Sequence, residues 1–395
     1  MNYDELINPV VAQLPQSGIR RFFELANEIE DCISLGVGEP DFVTPWYIRD
    51  SAVKSVVAGK TQYTSNAGLL QLREMIAKYL DYRFSLSYEP KDEMIVTIGA
   101  SEAIDLAMRT FISPGDEVII PDPSYVSYVP NVRLVGGVPV PVKTKVEDDF
   151  ALTPQALESA VTPKSKILIL PYPNNPTGAI MTAKQLAAIV PVIRKHNLIV
   201  VSDEIYAELT YEGKHVSIAS FEGMKERTVL ISGFSKAFAM TGWRVGYVCA
   251  PKDVIRQMYK IHQYTIMCAP TASQYAAYEA IKGGFEEDFS SVSEMREAYD
   301  KRRRFLVAQF NSMGLDCFTP RGAFYVFPSV KRFYPTGDEF AEKLLYGESV
   351  AVVPGGAFGA EGKGHVRCSY AYSLKSLKKA CEKIRAFTEN LPDNK

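Results

Sequence analysis

Lys236 and Arg244 stand in the stretch Ser232-Gly-Phe-Ser-Lys-Ala-Phe-Ala-Met-Thr-Gly-Trp-Arg-Val-Gly-Tyr247, and their types and placement carry chemistry. Just upstream, Thr228-Val-Leu-Ile231 is a β-branched, apolar run behind the polar Lys225, Glu226 and Arg227. That pattern predicts a buried strand. A lysine immediately beyond an interior strand costs desolvation free energy unless its charge is removed or paired. Condensing the amine with an aldehyde as an imine removes the charge. An arginine close by can then hold an anionic group of the same ligand.

These residues need a scaffold that brings strand ends together, and the chain supplies one. Met94-Ile-Val-Thr-Ile98 reads as a strand, and Gly99-Ala-Ser-Glu-Ala-Ile-Asp-Leu-Ala-Met108 opens a helix directly after it. A strand, a glycine and a helix N-terminus present free N–H groups and the positive end of the helix dipole to an anion. By itself Gly-Ala-Ser is a weak signal, neither Gly-x-Gly-x-x-Gly nor a Walker loop. Strand signals recur at Glu117–Ile120, Lys166–Leu170, Leu198–Val201 and Thr228–Ile231, with helical stretches between several of them, as at Ala183–Lys195. The alternation predicts a mainly parallel sheet covered on both faces. Ligands of such sheets sit beyond the carboxyl ends of the strands. Five clusters fall there: Gly99, Pro121–Tyr125, Pro171–Gly178, Ser202–Tyr206 and Lys236. Individually, Asn175 reads equally well as a turn residue and Tyr206 or Tyr125 as core aromatics; together they point into one crevice.

Around this centre, residues 1–47 read as an arm and a turn-rich entry in which Gly36 and Gly38 bring backbone close to something. Helical periods follow at Trp46–Val57 and Leu69–Tyr79, flanking the polar loop Thr61–Gly68 that carries Tyr63. Later segments read as helices at Asp253–Lys282 and Val292–Asn311. From about 290 onward, Gly322–Phe327, Ser349–Val353 and His365–Tyr370 suggest a smaller α+β domain joined by the N-terminal arm. The 395 residues are long for a single domain. Hydrophobic residues at 47% and charged ones at 23% are ordinary for a globular protein. A formal net charge of −2 gives no electrostatic reason to expect nucleic acid or an anionic membrane as partner. The basic run Lys301–Arg304 reads as a solvated helix face. Six scattered cysteines show no Cys-x-x-Cys or His pairing at metal spacing, so reduced thiols, a cytoplasmic location and no metal are expected. No run approaches the roughly 20 apolar residues of a spanning helix.

Ser-Lys-Ala-Phe-Ala-Met-Thr-Gly-Trp-Arg-Val-Gly-Tyr resembles the cofactor-lysine signature of class I aminotransferases, enzymes that use pyridoxal 5′-phosphate (PLP). The resemblance runs from Gly-Val-Gly-Glu-Pro-Asp-Phe42 to Arg367 with the family's motifs in order. It is closest to the branch of aspartate, aromatic and N-acetyl-diaminopimelate aminotransferases; Ser17–Phe22, Gly99–Ile104 and Pro171–Gly178 are similar to the N-acetyl-diaminopimelate type. It implies a fold type I transferase: a large PLP-binding domain (48–289) with a mostly parallel seven-stranded sheet, and a small domain formed by 1–47 and 290–395.

It also implies roles. Lys236 would carry the cofactor and move the substrate proton. Asp203 would keep the pyridine nitrogen protonated, since an opposite charge favours the charged form. Asn175 and Tyr206 would donate to the phenolic oxygen, and Tyr125 would stack on the ring. Ala100, Ser101, Arg244 and Ser235 would hold the phosphate, with Tyr63 from a second subunit, so that each site needs a homodimer. The family often has serine where this chain has Gly233, leaving Ser235 or backbone to replace that hydroxyl. Arg367, with the Gly38 N–H, would bind the substrate α-carboxylate, because a guanidinium fork suits bidentate recognition. The implied activity moves an amino group between an L-amino acid and a 2-oxo acid, 2-oxoglutarate and glutamate forming one pair, with ping-pong kinetics. Some aspartate enzymes of this branch carry lysine where Ser101 stands, so strict aspartate specificity is not expected. The alternatives are a carbon–sulfur β-lyase on the same scaffold, a sensor that keeps the fold, and a non-catalytic binding protein.

Overall fold

The computed structural model describes residues 1, 3–16 and 18–392. Seven strands form the central sheet: β1 (Met94–Thr97), β2 (Glu117–Asp122), β3 (Val138–Lys143), β4 (Ser165–Leu170), β5 (Ile199–Asp203), β6 (Thr228–Gly233) and β7 (Gly246–Cys249). Their spatial order is β1-β7-β6-β5-β4-β2-β3. Strands β6, β5, β4, β2 and β3 pair in parallel, while β7 runs antiparallel between β6 and β1.

Alternating side chains of these strands fill two separate cores, as the pleat requires. On one face Val118, Ile120, Ile167, Ile169, Val201, Ile231 and Val248 pack with the helix Gly99–Phe111 and the helix Lys252–Thr265. On the other, Ile119, Leu168 and Val200 meet the helix Ala183–Lys195. Met94, Val96, Leu230 and Tyr247 meet the helices Trp46–Val57, Leu70–Phe84 and Thr271–Glu286. Thr182 starts the helix Ala183–Lys195 with a capping box: its hydroxyl accepts from Gln185 N–H and the Gln185 side chain accepts from Thr182 N–H.

The C-terminal third builds a third core from the helices Ser290–Ser312, Gly337–Glu348 and Leu374–Glu389. A small antiparallel sheet lies within it, Val353–Pro354 beside Val366–Ser369 beside Tyr325–Val326. Ile33–Ser34 adds a parallel pair to Val350–Ala351, and Leu35 joins the same core. Strand β2 reaches this part of the chain through Asp122, whose Oδ2 accepts from Ala360 N–H at 3.1 Å. Gly359, at φ +132°, leaves no room there: a Cβ would lie 1.9 Å from Asp122 Oδ1.

Several elements differ from the sequence reading. The expected helix Asp253–Lys282 is two helices, Lys252–Thr265 and Thr271–Glu286, because Pro270 cannot continue the first. Strand β3 was not anticipated; its Val-Pro-Val-Pro-Val-Lys sequence carries prolines that a sheet tolerates at an edge, where β3 lies. Strand β7 was hidden behind the lysine signature. The arm holds the helices Pro9–Ala12 and Gly18–Asn27. Ser17, which opens the Ser17–Phe22 segment, lies outside the described residues. The segment Ser349–Val353, read as part of a smaller α+β domain, contributes to two short strands, Val350–Ala351 and Val353–Pro354, with different partners. All six cysteines are free. Among the described residues no helix is long and apolar enough to cross a membrane.

Candidate active site

A cavity of about 920 Å³ opens at the carboxyl ends of the parallel strands. Lys236 projects into it from the turn after β6, Asp203 from the end of β5, and Asn175 from the turn after β4. Ala100 and Ser101, at the N-terminus of the helix after β1, line the cavity with Tyr125, Tyr206 and Ser235. Gly38, Arg244 and Arg367 complete the set. Of the residues singled out in the sequence, Tyr63 alone is elsewhere: its side chain is 79% exposed, on a loop held by Asn66 Nδ2 to Met267 O and Thr271 Oγ1 to Gln62 O.

The Lys236 side chain is part-buried in the cavity wall, and its amine donates to Gly38 O at 2.6 Å. Burial lowers its pKa to about 8; Glu39 and Asp203 pull it up, while Arg367 and Arg244 push it further down. Gly38 contributes its carbonyl to this contact. Its lack of a side chain is required, since a Cβ would lie 2.6 Å from Tyr325 Oη.

Asp203 is buried, which raises its pKa. Two donors oppose that: Tyr128 Oη at 2.8 Å to Oδ2 and Ile205 N–H at 3.2 Å to Oδ1. Tyr128 also packs edge-on against Tyr125, ring centroids 5.6 Å apart. The Asn-Asn-Pro-Thr-Gly turn divides its labour. Asn174 Oδ1 accepts from Thr177 N–H and Oγ1, doing the turn work, and this leaves Asn175 free to face the cavity.

Arg367 is 2% exposed. Its Nη1 donates to Asn175 Oδ1 at 2.9 Å and its Nη2 to Gly36 O. The guanidinium lies over the Tyr325 ring at 4.4 Å and the Phe358 ring at 4.9 Å, and its Nε has no hydrogen-bond partner. Tyr206 Oη and Tyr325 Oη are 2.8 Å apart, both side chains buried. Arg244, itself at φ +49°, donates through Nη1 to Thr241 O and passes over Gly99. Gly99, at φ +71°, admits it: a Cβ would sit 2.7 Å from Arg244 Nη2.

The missing serine has a steric cause. A Cβ on Gly233 would lie 2.9 Å from Gly246 Cα, its partner on β7. A side chain at 233 would push the strands apart. Ser235, 7% exposed, is the hydroxyl that lines the cavity instead.

A guanidinium, a hydroxyl and helix N-terminal N–H groups at one end suit a phosphate; a buried carboxylate on the β5 side suits a protonated ring nitrogen; a depressed amine between them suits an aldehyde. Comparison with known proteins agrees. A family model for aminotransferase class I and II matches residues 30–384. The chain belongs to the class I and II aminotransferases. Bacillus subtilis YugH is 50% identical over 96% of this chain and 98% of its own length. The aspartate aminotransferase of Pyrococcus abyssi is 44% identical, with 96% of each chain covered. Among solved structures, an aromatic aminotransferase from Pyrococcus horikoshii superposes with TM-score 0.89 at 44% identity, covering 93% of this chain and 98% of its own. Members of this family use PLP, and this aminotransferase has amino acids and 2-oxo acids as its substrate classes.

The low proton affinity of Lys236 has a direct readout. In the apoprotein its reactivity toward acetic anhydride, followed by peptide mass spectrometry, is expected to rise with a midpoint near pH 8, because only the neutral amine is nucleophilic. A midpoint at the ordinary lysine value, about 10.4, would show that the amine is not desolvated.

Proposed function

We propose that the cavity residues divide the work of amino transfer as follows, within a large unit of residues 48–289 and a small one of 1–47 and 290–395. Lys236 Nζ takes up and returns the proton at the substrate α-carbon, which its depressed pKa supports because the neutral amine is accessible near physiological pH. PLP, when bound, supplies the aldehyde and the electron-withdrawing ring that make that hydrogen acidic. Asp203 holds positive charge at the ring nitrogen. Asn175 and Tyr206 orient toward the phenolic oxygen, and Tyr125 flanks the ring. Ala100, Ser101, Ser235 and Arg244 hold the phosphate. Arg367 clamps the α-carboxylate, with the Gly38 backbone beside it. The observation that carries this reading is Lys236: an amine whose pKa is lowered to about 8, held at the strand ends among a carboxylate and two guanidinium groups.

The test is kinetic. Lys236→Ala abolishes turnover, and reciprocal plots of the parent enzyme at several acceptor concentrations stay parallel. Arg367→Lys raises KM for the amino donor about ten- to a hundredfold, since it loses one charge-assisted hydrogen bond of about 1.5–3 kcal/mol. Intersecting plots, or near-normal turnover in Lys236→Ala, would end the proposal.

Donor preference follows from charge. Among the described residues lining the cavity, the cations are Lys236, Arg244 and Arg367, and all three already have roles. Among these described lining residues none is left over for a distal carboxylate, so we infer that aromatic or other neutral side chains are preferred over aspartate. With 2-oxoglutarate as acceptor, kcat/KM for phenylalanine or tyrosine is expected to exceed that for aspartate; the reverse order would refute the inference.

We further propose a cytoplasmic homodimer in which Tyr63 reaches the neighbouring site. Its 79% exposure and its absence from the lining of its own chain's cavity support this. Mixing Lys236→Ala chains with Tyr63→Phe chains is expected to produce hybrids with one intact site, which hold PLP more tightly than the Tyr63→Phe homodimer. A monomer in sedimentation, or hybrids no better than Tyr63→Phe alone, would exclude it.

A further inference from the structure

Tyr325 was not singled out in the sequence, yet it meets three of the site residues that were. It lines the cavity from the short strand Tyr325–Val326 and is 1% exposed. Its hydroxyl lies 2.8 Å from Tyr206 Oη. Its ring carries the Arg367 guanidinium at 4.4 Å. The same hydroxyl occupies the space that a Cβ on Gly38 would need, 2.6 Å away, next to the carbonyl that accepts from Lys236. One side chain thus abuts the groups assigned to the cofactor's phenolic oxygen, to the substrate carboxylate and to the amine.

Two hydroxyls at hydrogen-bond distance share one proton between them and keep one for a third partner. Direction matters. If Tyr206 donated to Tyr325, its own proton would be spent and it could not donate into the cavity. If Tyr325 donates, the Tyr206 proton is free. The surroundings favour the second arrangement. Burial raises the pKa of the Tyr325 hydroxyl, but the Arg367 cation 4.4 Å from its ring opposes the rise, so it stays the more acidic of the two and hence the better donor. Burial and the neighbouring Tyr325 hold the pKa of Tyr206 well above the usual value.

We propose that Tyr325 is a positioning residue with two separable duties: its hydroxyl donates to Tyr206 Oη so that the Tyr206 proton points into the cavity, and its ring fixes the plane of Arg367. The hydroxyl duty rests on the assignment of Tyr206 to the phenolic oxygen of PLP. It adds a connection that the motifs do not contain, between cofactor electronics and carboxylate recognition.

Two substitutions separate the duties. Tyr325→Phe keeps the ring and removes the donor; Tyr325→Leu removes both. Tyr206→Phe is the reference. In each PLP-loaded enzyme the visible absorbance of the bound cofactor is titrated with pH, and kinetics with one amino donor give kcat and KM. A phenolic oxygen that loses a donor holds its proton to higher pH. Tyr206→Phe is therefore expected to raise the absorbance midpoint by about one unit, and Tyr325→Phe to raise it by about half as much, because a hydrogen bond relayed through one hydroxyl is weakened rather than lost. KM is expected to stay within about twofold in Tyr325→Phe and to rise about tenfold or more in Tyr325→Leu, where Arg367 loses the ring beneath it. A shifted midpoint in Tyr206→Phe with none in Tyr325→Phe overturns the donor duty while leaving the Tyr206 assignment intact. An unmoved midpoint in Tyr206→Phe itself overturns both. Equal KM in the two Tyr325 variants overturns the duty of the ring. Circular dichroism and cofactor content confirm that each variant is folded and loaded.

Discussion

The structure depends on keeping one amine out of water without leaving its charge unanswered. Lys236 sits where β6 ends, with its Nζ on the Gly38 carbonyl and with Asp203, Glu39, Arg244 and Arg367 close enough to bias its proton. Taking a lysine into such a place is costly unless the amine becomes neutral or is paired. The two arginines oppose the proton and the two carboxylates favour it, and burial decides the balance. The outcome is an amine with a pKa of about 8, an appreciable fraction of which is neutral at physiological pH, far more than in an ordinary surface lysine. A rigid frame is needed to hold so many charges at fixed distances, and the frame is a sheet buried on both faces.

Parallel strands collect their carboxyl ends along one edge, and the sequence uses that edge repeatedly. The antiparallel β7 adds a constraint of its own. Gly246, its first residue, pairs with Gly233 on one side and Thr97 on the other. A Cβ on Gly246 would lie 2.8 Å from Ala100 N. The end of β6, the start of β7 and the turn after β1 are therefore packed backbone to backbone, and Lys236, Arg244 and Ser101 inherit a fixed separation. The C-terminal third closes the opposite wall. Arg367 enters from a strand whose register is set by Val353 and Val326, and Asp122 meets Ala360 where β2 ends.

Much of this was legible from residue order alone. Strands β1, β2, β4, β5 and β6 announce themselves as apolar, β-branched runs, and each is followed by a chemically distinctive cluster. The helices Trp46–Val57 and Ala183–Lys195 coincide with their periodic stretches. Eleven residues read as site components, from Gly38 to Arg367, line the one cavity. What failed was of two kinds. Strand β3 alternates valine with proline, and β7 is a four-residue run inside a glycine-rich motif, so neither carries a clear strand period. The division near Pro270 was masked because both flanking segments have helical spacing.

The second kind of omission is more instructive. Tyr128 and Tyr325 both hold other site residues in place, and neither has a spacing signal. Tyr128 lies on the helix Tyr128–Leu134 and reaches Asp203 across 75 residues of sequence. Such a contact is set by how a helix lies on the sheet, not by any local pattern. The loop bearing Tyr63 shows the same logic. His262, wholly buried, is clamped between Glu102 and the Asn66 carbonyl, while Glu102 also accepts from Ile98 N–H. This chain of polar contacts fastens the loop to the base of the helix whose N-terminus faces the cavity. Burying a histidine and a glutamate costs free energy that a flexible loop would not require. Fixing the loop's position relative to the cavity-facing turn after β1 is the gain that accounts for it, and it is the same gain that β7 achieves with glycines on the other side.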